Sequence, residues 1–202
     1  IVAGASLYDL DYKEFAYPDK QSGYLAAKSA QSGNFEKGQI GAGTGATVGK
    51  VLRMKGCMKS ALGVDTLNKD GVEIGVVVAV NALGDIIDEN KKIIAGLKVG
   101  SKFIGSLKFY NTYKIFLKKQ NTTLACIMTN AKLSKAEANK LADISHQGYK
   151  KAIKPSHTMF DGDAIFVMAS GEKKVDFDKL CCDTIELVAK TIREVEYSDY
   201  VQ

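Results

Sequence analysis

Asn121-Thr122-Thr123 separates a basic stretch, residues 117–120, from an apolar run that begins at Leu124. Threonine favours extended backbone, so a hydroxyl where a buried strand opens has an ordinary structural reading. The same arrangement also fits an enzyme whose nucleophile becomes an N-terminus. There the Thr122 hydroxyl attacks the preceding carbonyl, an N-to-O acyl shift gives an ester, and hydrolysis frees the Thr122 amine. With a pKa of about 7.7–8.0, that amine can act as base for its own hydroxyl. The scheme requires no histidine, and the chain has only two, His146 and His157.

Three other segments carry residue types that could act with such a nucleophile. Asn81 closes the apolar run 72–80 and precedes Ala82-Leu83-Gly84-Asp85, a turn pattern. An amide there either satisfies its own turn, the reading the residues alone favour, or aims its NH2 at developing negative charge. Asp161-Gly162-Asp163 places two carboxylates at the entrance of another apolar run. A turn explains the triplet unaided, and a calcium loop is excluded because its third ligand and terminal Glu are missing. The glycine-rich stretch 38–50 fails the Walker template, since Thr44 stands where a glycine is required and Val51 where Ser or Thr is required. Its glycines at Gly43 and Gly45, flanking Thr44, either make a tight turn or bring bare amides close to a substrate.

These residues need elements to hold them. Residues 72–80, 124–128 and 164–169 are short apolar runs rich in branched residues and read as buried strands. Ser134 and Glu137 form a capping-box pattern ahead of an amphipathic helix reaching Ile153, and Asp176 is the candidate cap of a second helix after Phe177. A further helix is expected over residues 20–32. The order strand, strand, helix, strand, helix predicts an α/β protein in one domain, with a sheet too apolar to leave either face in water.

The chain, 202 residues with 46% hydrophobic composition, is long enough for a real core, and its net charge of +5 comes from lysines scattered among carboxylates. No basic face interleaved with aromatics points to nucleic acid. The four cysteines, Cys57, Cys126, Cys181 and Cys182, form no CxxC pair, and with two histidines they assemble no zinc spacing. No metal or other cofactor is expected. No run approaches the roughly 18–20 apolar residues of a membrane span, and no targeting signal is visible, which leads to the expectation of a cytoplasmic protein without a membrane partner. The start at Ile1-Val2-Ala3-Gly4, without an initiator Met, leads to the expectation of a segment upstream.

The segments 2–10 (VAGASLYDL), 41–50 (GAGTGATVGK), 76–88 (VVVAVNALGDIID), 121–142 and 146–172 together resemble the DmpA-type L-aminopeptidase/D-esterases, in the family's order and over nearly the whole chain. The resemblance implies the fold shared with ornithine acetyltransferase, a layered α/β/β/α sandwich around a self-cleaved nucleophile. It puts Thr122 at the nucleophile, Asn121 at the attacked carbonyl, and Asn81 at the oxyanion-hole asparagine. Asp161 and Asp163 fall where members carry a Ser-Gly-Glu or similar triplet, with Asp161 in place of the hydroxyl. Residues 1–121 would be the C-terminal part of an α-subunit and residues 122–202 the β-subunit, together one N-terminally incomplete catalytic domain. The implied function is an aminopeptidase or amidase acting on small peptides or amino-acid amides and esters through a Thr acyl-enzyme, in a homo-oligomer completed by the upstream segment. An amino-acid acyltransferase with the same nucleophile, and an unprocessed relative without activity, are the alternatives.

Overall fold

The computed structural model describes residues 3–33, 36–112 and 121–199, and the basic stretch 117–120 lies outside them. An exposed helix, α1 (Lys20–Ser29), comes first, capped by the Asp19 carboxylate on the Ser22 N–H. The strands β1 (Thr47–Val48), β2 (Met58–Lys59), β3 (Leu62–Lys69) and β4 (Val72–Ala79) follow, then β5 (Asp85–Ile87), β6 (Ile93–Ala95), β7 (Lys98–Val99), β8 (Lys102–Phe103) and the short helix α2 (Ser106–Thr112). After the junction come β9 (Leu124–Ala131), α3 (Lys135–Ala152), β10 (Ile153–Lys154), β11 (Ala164–Lys173), α4 (Phe177–Arg193) and β12 (Ser198–Asp199).

The main sheet has the order β11-β9-β4-β3, with β9 and β11 parallel and the other pairs antiparallel. Three small sheets, β1-β2-β12, β10-β5-β6 and β7-β8, flank it. α3 supplies the crossover that a parallel pair requires. Its Ser134–Glu137 capping box forms as the sequence predicts.

Strand alternation sends Val76, Val78, Ala125 and Ile127 to one face, where they meet Leu141 and Tyr149 of α3 and Val188 and Ile192 of α4. The result is an α/β sandwich, as expected, of which these residues form one helical layer on one main sheet layer. Of the expected cover on both sheet faces, the described residues supply helices on one. On the face turned from the helices the register aligns Val64, Val77, Cys126 and Phe166 in one row and Gly75, Met128 and Met168 in the next. Most of these are half-buried, and Met168 is 63% exposed. The strands are apolar throughout because both faces carry such rows, although among the described residues helices pack on one face only. Among those residues, too, no helix is long and apolar enough to cross a membrane.

Candidate active site

The registers of the two central ladders, β4 with β9 and β9 with β11, pair Ala79 with Leu124 and Leu124 with Ala164. Continued two residues past the strands, they set Asn81, Thr122 and Gly162 side by side at one end of the sheet. Hydrogen bonds follow that continuation. The Thr122 N–H donates to the Asn81 carbonyl at 3.0 Å, the Gly162 N–H to the Asn121 carbonyl at 2.6 Å, and the Ala164 N–H to the Thr123 carbonyl at 3.2 Å. The Asn121–Thr122 peptide is therefore gripped from both sides. Asn121, Thr122 and Thr123 are all buried.

Asn81 is fully buried, and its amide is held in one orientation. Oδ1 accepts from the Thr47 N–H at 3.2 Å and from Lys50 Nζ at 2.5 Å, which leaves Nδ2 to donate to the Tyr8 carbonyl at 3.0 Å. The side chain is thus a real donor at the site, and in this structure residue 8 receives its bond. The turn-former reading does not describe it.

Lys50 was missed from the sequence, where a buried lysine looks like any surface lysine. Gly49 turns with a left-handed φ of 74°, at a place where a Cβ would lie 2.2 Å from the Leu97 nitrogen, and the turn swings Lys50 inward. Its Nζ also donates to the Asn81 carbonyl at 3.1 Å. Burial lowers its pKa to about 7, partly opposed by Cys57, Asp161, Asp9 and Asp163. Its signal in the sequence is the Gly49-Lys50 step, which lies in the stretch that fails the Walker template.

The two carboxylates divide their work. Asp161 Oδ2 accepts from the Thr158 N–H and hydroxyl, both at 2.8 Å, so that carboxylate ties its own turn, while Oδ1 is buried without a partner. Asp163 Oδ1 accepts from the Thr123 N–H at 2.8 Å, one residue beyond the candidate nucleophile, and Oδ2 lies 3.9 Å from His157 Nδ1. Burial, and then the charge of Asp161, raise the Asp163 pKa to about 6. Tyr149, which the helical pattern assigns to the core, also reaches the junction, its hydroxyl donating to the Thr123 carbonyl at 3.3 Å.

Of the three loop candidates, Gly43 is a packing residue, because a Cβ there would sit 2.3 Å from the Leu62 nitrogen, and Thr44 is exposed. Gly45 lines a small cavity beside Lys50 and Asn121. A Cβ on it would meet the Asp9 carboxylate at 2.2 Å. The buried Lys59 ammonium clamps this loop by donating to the carbonyls of Gly43 (2.8 Å), Ala46 (3.0 Å) and Ser60. Between the loop and the junction lies a cavity of about 30 Å³, lined by Tyr8, Asp9, Asp11, Tyr12, Gly45, Thr47, Lys50, Arg53, Met54 and Asn121. It has room for a water or two.

The model of peptidase family S58 matches residues 1–199. An uncharacterized aminopeptidase of Mycobacterium leprae is 30% identical over 190 residues, 85% of this chain and 49% of that protein. The 6-aminohexanoate-oligomer endohydrolase of Paenarthrobacter ureafaciens is 30% identical over 186 residues, 85% of this chain and 50% of that protein. The chain thus spans about half the length of the curated relatives it matches. Among solved structures, the L-aminopeptidase D-Ala-esterase/amidase of Ochrobactrum anthropi, described as a variant of the Ntn hydrolase fold, superposes with a TM-score of 0.60 at 14% identity, covering 87% of this chain and 48% of that one. A Burkholderia β-aminopeptidase does so with a TM-score of 0.57 at 16% identity, covering 86% and 49%. These likenesses bear on the fold.

Proposed function

This chain belongs to peptidase family S58, and on that premise we propose that it is an amide hydrolase whose nucleophile, Thr122, is released by self-cleavage of the Asn121–Thr122 bond. The observation that carries the reading is the grip on that bond, with its carbonyl on the Gly162 N–H and its N–H on the Asn81 carbonyl. A peptide so fixed presents one face to its own hydroxyl and loses little freedom in reaching the attacking geometry. After the cut, the Thr122 amine deprotonates near neutral pH and serves as base. A substrate carbonyl then takes the place of Asn121, and Asn81 Nδ2 becomes its oxyanion donor once the Tyr8 carbonyl gives way. Asp163 holds the main chain beside the nucleophile, and Asp161 the turn that carries it.

Substrates are small amides bearing a free amine. Asp9 and Asp11 beside Lys50 and Arg53 give the cavity charges of both signs, and the named relatives range from aminopeptidases to an oligoamide endohydrolase. The open sheet face, with Val77, Cys126, Phe166 and Met168, receives an upstream segment of the same precursor.

Intact mass is the deciding measurement. The chain of 21.8 kDa should convert to two pieces divided before Thr122. Thr122→Ala should remain single and inactive on amino-acid amides, while Thr122→Ser should still cut. Thr123→Val is the control, because the Thr123 hydroxyl is buried without a partner and its loss should leave cleavage unchanged. Cleavage of the Thr122→Ala protein at this bond, or equal turnover by cut and uncut preparations, would sink the reading.

A further inference from the structure

The carbonyl that must carry negative charge during self-cleavage belongs to Asn121, and its hydrogen-bond donor is a main-chain group. The Gly162 N–H donates to it at 2.6 Å. Asn121 is 5% exposed and Thr122 7%, so water has little access to share that charge. The side-chain amide of Asn81 is engaged elsewhere, on the Tyr8 carbonyl. On the opposite side, the Asn81 carbonyl takes the Thr122 N–H and also accepts Lys50 Nζ, which keeps the peptide from turning away from Gly162.

Gly162 is a glycine for a reason its backbone does not supply. Its φ is not in the left-handed range, and residue 162 is exposed on its outer side, so neither strain nor general crowding calls for glycine. A Cβ there would, however, stand 2.9 Å from Thr122 Oγ1, tighter than carbon and oxygen tolerate, and 3.7 Å from the Asn121 oxygen. The bare Cα leaves the nucleophile its place while the adjacent N–H holds the carbonyl it attacks. Hydroxyl and carbonyl oxygen are thus arranged around one residue.

We propose that the Gly162 main-chain N–H is the oxyanion donor of the self-cleavage step, and that the missing side chain at 162 is what allows the Thr122 hydroxyl to attack. The assignment rests on the self-processing reading above. Thr122 Oγ bonds to the Asn121 carbonyl carbon, and the charge gathers on the oxygen facing Gly162. As the C–N bond breaks, the hydroxyl proton passes to the departing Thr122 nitrogen and an ester remains. Water then hydrolyses the ester to the Asn121 carboxyl and a free Thr122 hydroxyl and amine. Donors of this type strengthen their bond as charge develops, which is what separates a catalytic group from a ladder hydrogen bond.

The N–H can be removed without touching any side chain by placing glycolic acid at position 162 through stop-codon suppression in cell-free translation, which turns that amide into an ester. Cutting, followed by intact mass over time, should slow about 100- to 1000-fold against the wild-type chain made in the same way. Gly162→Ala keeps the N–H and fills the space. It should cut at least about tenfold slower, and adding Thr122→Ser, whose hydroxyl is free to turn, should recover part of that loss. The circular dichroism spectra of both variants should match that of wild type, and Gly162→Ala guards against a glycolate chain that does not fold. Wild-type cutting rates in both variants would overturn the assignment while leaving self-processing intact. A wild-type chain that never cuts would instead remove the reading on which the assignment rests.

Discussion

Burial moves two groups beside the junction in opposite directions, lowering Lys50 to about 7 and raising Asp163 to about 6 from the usual 3.8. Both shifts work against folding in the charged form. For Asp163 the native state binds the proton more tightly than the unfolded chain, so this group's contribution to stability is fully present below pH 3.8 and is lost as pH rises through about 6. Each unit is worth about 1.4 kcal/mol, which makes the full loss on the order of 3 kcal/mol. For Lys50 the sign is reversed, and its contribution to stability grows as pH climbs from about 7 toward 10.5. Asp163→Asn removes the first effect while an amide oxygen still accepts the Thr123 N–H. Urea melts in the uncut Thr122→Ala background should therefore show the added Asp163→Asn gaining on its parent by up to about 3 kcal/mol between pH 4 and pH 7. A difference independent of pH would mean that Asp163 is not the buried acid described.

Where α3 crosses α4, Gly148 lets the two backbones approach. A Cβ there would lie 2.7 Å from Val188 Cγ1 and 2.8 Å from the Ile185 carbonyl. An exposed helical glycine changed to alanine gains about 1 kcal/mol, whereas overpacking a core contact costs about 1–3 kcal/mol. The clash with backbone should decide, so Gly148→Ala is expected to lower stability in a thermal or urea melt, and a more stable variant would show that α3 shifts freely on α4. Elements of this kind were largely legible in the sequence. β4, β9, β11, α3 and α4 follow their apolar periods and caps closely, and α1 ends at Ser29, short of the expected residue 32. β3 was not legible, because Asp65, Asn68 and Lys69 interrupt its apolar pattern, as an edge strand permits. Within the site, Asn81, Thr122, Asp161 and Asp163 each end or open a strand, which made them candidates, but position alone favoured turn or strand readings and it was the family resemblance that implied their roles. Lys50, Tyr149 and Gly162 did not stand out, since their roles depend on which way a buried chain or an amide points, and residue type does not record that.

On the scale of the molecule, the main sheet has helices on one face and partly exposed apolar rows on the other, with Met168 at 63% exposure among them. If an upstream segment covers those rows, a charge placed there is harmless in this chain and costly in the longer precursor. Met168→Asp should change the stability of the 202-residue chain by no more than about 0.5 kcal/mol, as surface substitutions do, and lower that of a precursor carrying the upstream segment by at least about 2 kcal/mol. Equal small effects in both would leave the face uncovered and remove the upstream segment as its occupant. The position of β9 has another consequence. It lies between β4, which precedes the junction, and β11, which follows it, so a cut at Asn121–Thr122 gives the centre of the sheet to one polypeptide and its neighbour β4 to another. Before the cut, unfolding is a unimolecular event and the chain can find its way back. Afterwards it is a separation of two molecules, whose midpoint depends on protein concentration and whose reversal requires an encounter in solution. Maturation would thus make folding history-dependent, with each cut molecule resting on how slowly its sheet comes apart.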